Sequence, residues 1–341
     1  MTNTSAYSTV DLASSHPYMW GTGAFFFRNL DYWKFQPHLT QPEKDTLRER
    51  FVDICTALGY TDFKTAEGMD SLIYRRYQAK LFFPLRRIPY GPLFSPEQEG
   101  FWSWKVQEAS CVALGCLEHF LWGQIYPVPP SIQNLQELRL VGEDLHLPWA
   151  MRENWGYLFS HPQLTGHGLL LRAWLNLPAL SLSLNLEKAV SAIRTQGFDA
   201  FSLSAESVRG GWVVVESCGG FGQNFNDFIN SWNSLLTTLF QWEQEECAQG
   251  YSNNRLEWQD KIHRSLGLVR NARLLGFAEA QEMCLWLRLG VHTLELPADF
   301  IEKLNLSFKR LDPVFWAESP EDSPLSQAEQ RANYFREIFT Q

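Results

Sequence analysis

From Leu169 to Leu184 the chain is largely apolar, interrupted by little more than Arg172, Asn176 and two serines, and it alternates in part. Such a run suits a strand covered on both faces. It falls short of the ~18 residues that suggest a membrane span. A doubly covered strand needs neighbours, and the sequence offers them. Phe201-Ser202-Leu203-Ser204 alternates cleanly, and Trp212–Glu216 is β-branched and bounded by glycines. Asn185 to Thr195 reads as an amphipathic helix carrying Leu186, Ala189, Val190 and Ile193. Phe225, Phe228, Ile229, Trp232, Leu235, Leu236, Leu239 and Phe240 recur at helical spacing, predicting a long helix with one buried stripe.

The segments divide into three regions. Residues 1–18 are small and polar and predict a loose leader. Residues 19–249 mix strand and helix patterns. Gly250-Tyr251-Ser252-Asn253-Asn254 is the best boundary, and 255–341 predicts a helical C-terminal domain. In that domain Asp260 to Phe308 reads as helix throughout, Pro313 to Pro324 as a loop, and Ser326 to Phe339 as a final amphipathic helix. The class is α+β. At 341 residues, with 14 Trp and 24 Phe, the chain can build a substantial core. A net charge of −9 gives nucleic-acid binding little support, and Arg75-Arg76 and Arg86-Arg87 read as solvated faces or ion pairs. Six cysteines without a CxxC pattern predict reduced, buried thiols. The first residues lack a basic stretch followed by an apolar one, so the expectation is a soluble cytoplasmic protein with no membrane partner.

The stretch from Asn154 to Leu180 carries a more specific signal. Its Gly156-Tyr157-Leu158, Pro162, Gly166, Gly168 and Leu177-Pro178-Ala179-Leu180 fit the frame GYLTxCPxNxGTGLRASVxxHLPAL. This resembles the ATP:guanido phosphotransferases, most closely the bacterial protein-arginine kinases. Asp260 to Arg273 is similar to that family's DRVYRSYGxLxNxR, and Arg288-Leu289-Gly290-Val291 to its RLGID. The resemblance covers roughly residues 20 to 340. It implies a guanido-kinase-like antiparallel β-sheet flanked by helices, followed by a helical C-terminal domain.

The same resemblance implies a degenerate site. Moving a phosphoryl group to a guanidinium needs cations on the triphosphate and a carboxylate on the guanidinium. The family's five phosphate-binding arginines fall on Gly23, Phe25, Leu121, Leu170 and Asp199. Its catalytic carboxylates fall on Leu117 and Ser204, its cysteine on His161, and Glu118 stands where it has Asp. Arg28-Asn29 and His119 are retained, and Gly21-Thr22-Gly23, followed by three phenylalanines, reads as a buried strand rather than a phosphate loop. Glu118 and His119, as neighbours on a strand, would face opposite ways and share no acid–base role. In the C-terminal helix only Arg331 is left of the motif that docks phosphoarginine. Each charge-assisted hydrogen bond contributes about 1.5–3 kcal/mol, so losing five removes ATP affinity in the family's mode.

Other constellations are weak. His119, His161 and His167 lack partners at metal-ligand spacing, so no metal is expected. Cys218-Gly219-Gly220-Phe221-Gly222 lacks the lysine of a phosphate loop and reads as a turn. Ser204 and Ser207 sit in no nucleophile elbow. Three functions stay open. The first is an inactive homologue that binds protein partners, with no cofactor. Resemblance implies an activator protein or an AAA+ protease component, and a homodimer or a heterodimer with an active paralogue. Trp102, Trp104 and Trp122 would then fill the cleft or face a partner. The second is an active, ATP- and Mg²⁺-dependent arginine kinase with a site remodelled around Glu118, Glu206, Arg172 or Arg209. The third is a small-molecule binder using the same cleft.

Overall fold

The computed structural model describes residues 16–35, 38–61, 63–65, 101–105, 109–115, 118–202, 211–217, 220–308 and 323–340. Its centre is an eight-stranded sheet in which the strand pairings among the described residues are antiparallel. The strands are β1 (Met19–Arg28), β2 (Lys64–Thr65), β3 (Phe101–Lys105), β4 (Ser110–Leu114), β5 (Phe120–Tyr126), β8 (Leu169–Asn176), β9 (Asp199–Ser202) and β10 (Trp212–Glu216). Their order is β2-β3-β4-β5-β1-β8-β10-β9. β6 (Met151–Arg152) and β7 (Gly156–Tyr157) form a separate hairpin.

β1 lies between β5 and β8, and its ten residues are all buried, as the glycine and phenylalanine run predicts. Alternation sorts its side chains. Ala24 and Phe26 join a core with Leu171, Ala173, Leu175, Val213 and Val215 under four helices. These are α1 (Gln41–Ala57), α2 (Ile132–Glu143), α4 (Leu186–Thr195) and α5 (Phe225–Asn253). Phe25 and Phe27 face the other way, into a core with Trp20, Leu121, Leu170, Trp174 and Trp212. That second core is continuous with the C-terminal helices α6 (Arg255–Asn271), α7 (Phe277–His292), α8 (Phe300–Phe308) and α9 (Pro324–Thr340).

Several expectations change. The apolar run from Leu169 is a strand only to Asn176; Pro178 then opens a short helix, α3 (Pro178–Leu182). Proline suits a first helical position, and the buried Glu243 carboxylate accepts from Ala179 N (2.7 Å) and Leu180 N (2.9 Å). Gly250 does not break the chain, because α5 continues to Asn253 and turns only at Asn254. A Cβ at Gly250 would stand 2.6 Å from Trp258 Cζ2, so the glycine serves helix packing rather than a boundary loop. The region from Asp260 to Phe308 is broken at 272–276 and 293–299. The end of the leader is tied down. Pro17 O accepts from Arg288 Nη1 (2.6 Å), Tyr18 is buried, and its ring stacks 5.5 Å from Phe240. Cys55, Cys111, Cys247 and Cys284 are buried free thiols. No helix among the described residues is long and apolar enough to cross a membrane.

Candidate functional site

Arg28 and Asn29 leave the end of β1 and organise two different clusters. Arg28 is buried, its Nη1 donating to Phe27 O (2.7 Å) and His167 O (3.0 Å). Its guanidinium carbon lies 3.4 Å from the Tyr157 ring centre, 5.3 Å from Trp122 and 5.6 Å from Phe26. Burial lowers its pKa to about 10, which leaves it charged at neutral pH. Gly168 makes this possible, since its φ is +60° and a Cβ there would meet Arg28 Nη1 and Phe27 O at 2.7 Å.

Asn29 ties Glu118 to His119. Its Nδ2 donates to Glu118 Oε2 (2.6 Å), and its Oδ1 accepts from His119 N (2.8 Å). Glu118 and His119 lie in the bend before β5 rather than on a strand, and both are fully buried. The expected opposition of strand faces therefore does not arise. Glu118 Oε2 also accepts from Ser160 N (3.2 Å). Glu118 Oε1 accepts from Ser160 Oγ (2.8 Å) and His161 N (3.1 Å), and its distance to His161 Nδ1 is 2.9 Å. Both oxygens are thus surrounded by donors, an arrangement that suits the carboxylate form. His119 is equally enclosed: Nδ1 accepts from Leu30 N (3.1 Å), so Nε2–H donates to Lys34 O (2.8 Å). Burial lowers the His119 pKa and keeps the ring neutral. Among the described residues no group of His, Cys, Asp and Glu could hold a metal ion.

The positions that resemblance assigns to phosphate, Asp199 included, lie on one face of the sheet, since Gly23, Arg172, Glu216 and Asp199 are successive cross-strand partners. Phe25 pairs with Gly123 on one side and Leu170 on the other, while Leu121 pairs with Phe27. Phe25, Leu121 and Leu170 are 0%, 3% and 8% exposed. The Phe25 ring lies over both flanking glycines. A Cβ at Gly23 would stand 2.4 Å from Phe25 Cε2, and one at Gly123 2.3 Å from Phe25 Cδ1. Trp174, whose ring centre is 5.0 Å from that of Trp20, closes the Gly23 side. On the other face Trp122 is buried against Phe26, its Nε1 donating to Leu138 O (2.8 Å).

The remaining charged candidates are engaged internally. Arg172, opposite Gly23, forms a buried ion pair with Glu216. Burial lowers the Arg172 pKa and raises that of Glu216 to about 7, against the pull of each on the other. Asp199 on the edge strand β9 accepts from Arg194 Nε (3.1 Å). Arg331 is 2% exposed and donates Nη1 to Leu275 O (2.7 Å). Leu117, Ser204, Glu206, Arg209 and the side chains of Trp102 and Trp104 lie outside the described residues. Sequence reasoning missed Ser160 and Glu216. Ser160 stands beside His161 and Glu216 lies across the strand pair from Arg172, and neither carries a local signal.

No family model matches the chain. Curated relatives do. The protein-arginine kinase of Bacillus pumilus is 27% identical over 145 residues, 42% of this chain and 40% of that protein. That of Staphylococcus haemolyticus is 28% identical over 200 residues, 57% of this chain and 58% of that protein. The chain thus spans about half the length of the curated relatives it matches, less than its motifs suggest. Among solved structures, the duplicated taurocyamine kinase from Schistosoma mansoni, with bound transition state analog components, aligns at a TM-score of 0.55 and 16% identity. That match covers 70% of this chain and 34% of the other. Its substrate-free form aligns at 0.50 and 17% identity, covering 70% and 35%. The Gly156–Leu180 frame and these matches agree: the chain is similar to protein-arginine kinases and shares the fold of the guanido kinases.

Proposed function

We propose that this chain is a catalytically inactive relative of the protein-arginine kinases that acts by binding other proteins, as a scaffold or regulator. The observation that carries this reading is the Phe25 ring. It occupies the space over Gly23 and Gly123 on the face where the family would place phosphate-binding arginines. A triphosphate needs several cations directed at it. Here Phe25, Leu121 and Leu170 are buried apolar side chains, and Arg172, which shares that face, is paired with Glu216. Asp199 would add a negative charge. No cofactor is part of this reading. The partners proposed, by family resemblance, are an activator protein or an AAA+ protease component, with self-association or pairing with an active paralogue in the cytoplasm.

The test is a thermal-shift titration with Mg²⁺-ATP and Mg²⁺-ADP up to millimolar concentrations. A ligand at 100 times its dissociation constant adds about 2.7 kcal/mol to stability, which is readily seen. No shift is expected. A saturable shift overturns the reading, and phosphoarginine formation on a protein substrate would then establish the alternative, an active kinase.

A further inference from the structure

His161 differs from the other histidines in how its ring is held. Its Nδ1 lies 2.9 Å from Oε1 of a fully buried carboxylate, Glu118, and 3.0 Å from Ser160 Oγ. Four other donors hold that carboxylate in place: Asn29 Nδ2, Ser160 N, Ser160 Oγ and His161 N. A lone pair on Nδ1 would face the negative oxygen, so the arrangement selects the Nδ1–H tautomer and leaves the lone pair on Nε2. No hydrogen bond is made by Nε2 within the described residues, and the side chain is 30% exposed. By contrast, His119 has both nitrogens engaged, His167 Nε2 is bonded to Gln223 O, and His263 sits 3.6 Å from its carboxylate, Glu295. A buried carboxylate that orients an imidazole and stabilises its cation is the arrangement by which histidine is activated.

We propose that His161 Nε2 is a nucleophile for small activated acyl compounds such as aryl esters, with Glu118 as its positioning residue. The Nε2 lone pair forms the bond to the carbonyl carbon, and the leaving group departs with its electron pair. The proton stays on Nδ1, hydrogen-bonded to the Glu118 carboxylate, whose negative charge balances that of the acylated ring. Water then adds to the acyl carbon, releasing the carboxylic acid and one proton to solvent and restoring the neutral imidazole. This inference needs no nucleotide and is independent of the proposed function, so the ATP titration leaves it untouched.

Two measurements test it. In a brief treatment with diethyl pyrocarbonate, mapped by mass spectrometry, His161 should acquire the ethoxycarbonyl group at least about threefold faster than the more exposed His146 and His263. With p-nitrophenyl acetate, the protein should release p-nitrophenolate faster than H161A by about tenfold. Labelling no faster than His263, or equal release by H161A, overturns the proposal. The labelling comparison is internal to the unmodified protein and does not depend on a variant folding. As a check on the positioning role, E118D should slow His161 labelling while leaving that of His146 unchanged.

Discussion

Replacing Gly23 with alanine tests whether the Phe25 ring fills the face of the sheet on which a nucleotide would otherwise sit. Gly23 lies within β1, and a glycine in a strand is roughly 0.5–1 kcal/mol less stable than alanine. On backbone grounds alone, G23A should therefore stabilise. The new Cβ, however, would stand 2.4 Å from Phe25 Cε2, 2.8 Å from Cζ and 3.2 Å from Trp174 Cη2. The ring is fully buried and cannot swing aside freely, so overpacking should cost about 1–3 kcal/mol. G23A alone should be destabilising. F25A alone should cost about 3–5 kcal/mol through the cavity it leaves. With the ring gone, adding G23A should stabilise by about 0.5–1 kcal/mol, a reversal of sign. The coupling in the double-mutant cycle is then about 1–3 kcal/mol. Gly123 is a poorer site, because its Cβ would also meet Ala24 O at 2.9 Å. Urea denaturation followed by tryptophan fluorescence reads all four proteins. Equal effects of G23A in both backgrounds would mean that the ring does not occupy this space, and the case against nucleotide binding would lose its main support.

Stability should peak near neutral pH. Burial raises Glu243 to about 8. It binds a proton in the native state that the unfolded chain has lost, so it lowers stability as pH rises toward that value, by up to about 1.4 kcal/mol per pH unit. Burial lowers the pKa of His16, His119 and His167, and that of His292 to about 3. Their stability contribution is lost as pH falls below about 6.5. Denaturation midpoints that rise steadily from pH 6.5 to 8 would contradict this assignment. R288M should cost about 1–3 kcal/mol for each acceptor it strands, Pro17 O and Asn305 Oδ1, which Arg288 Nη1 and Nη2 serve at 2.6 Å. The same substitution should speed proteolytic cleavage near residue 17, and an unchanged cleavage rate would show that the N-terminal segment is held by other contacts.

The sequence made the architecture legible wherever periodicity was strong. The phenylalanine run of β1, the β-branched Trp212–Glu216 strand and the buried stripe of α5 were all readable. What it hid were decisions made by distant partners. A run such as Leu169–Leu184 contains no local mark for its change from strand to helix beyond Pro178, and the carboxylate that serves the new helix comes from position 243. Gly250 looked like a chain breaker because its packing partner, Trp258, lies on the next helix. Motif comparison picked out Glu118 and His161 singly. It could not join them, because they lie 43 residues apart and the cluster is completed by Asn29, from the end of β1, and by Ser160 beside His161.

Which family residues persist follows from where their partners are. Arg28, Asn29 and His119 are satisfied by the protein itself: two carbonyls and three aromatic rings for Arg28, the Glu118 cluster for Asn29, and Leu30 N and Lys34 O for His119. Removing any of them would strand a buried polar group, a loss of about 1–3 kcal/mol. An arginine whose role is to meet phosphate has its partner in the ligand. In a chain that holds no nucleotide, such arginines would gather uncompensated charge on one sheet face, costing several kcal/mol per buried ion. Phenylalanine or leucine at those positions removes that cost and adds roughly 1.5–3 kcal/mol of apolar burial each. Gly23 lacks a side chain where the Phe25 ring needs room. Of the five positions that the resemblance assigns to phosphate, four are uncharged and Asp199 is acidic, beside Arg28, Asn29 and His119 that the protein itself satisfies; this is the balance expected on the proposed reading, in which the fold is kept for contacts other than those with ATP.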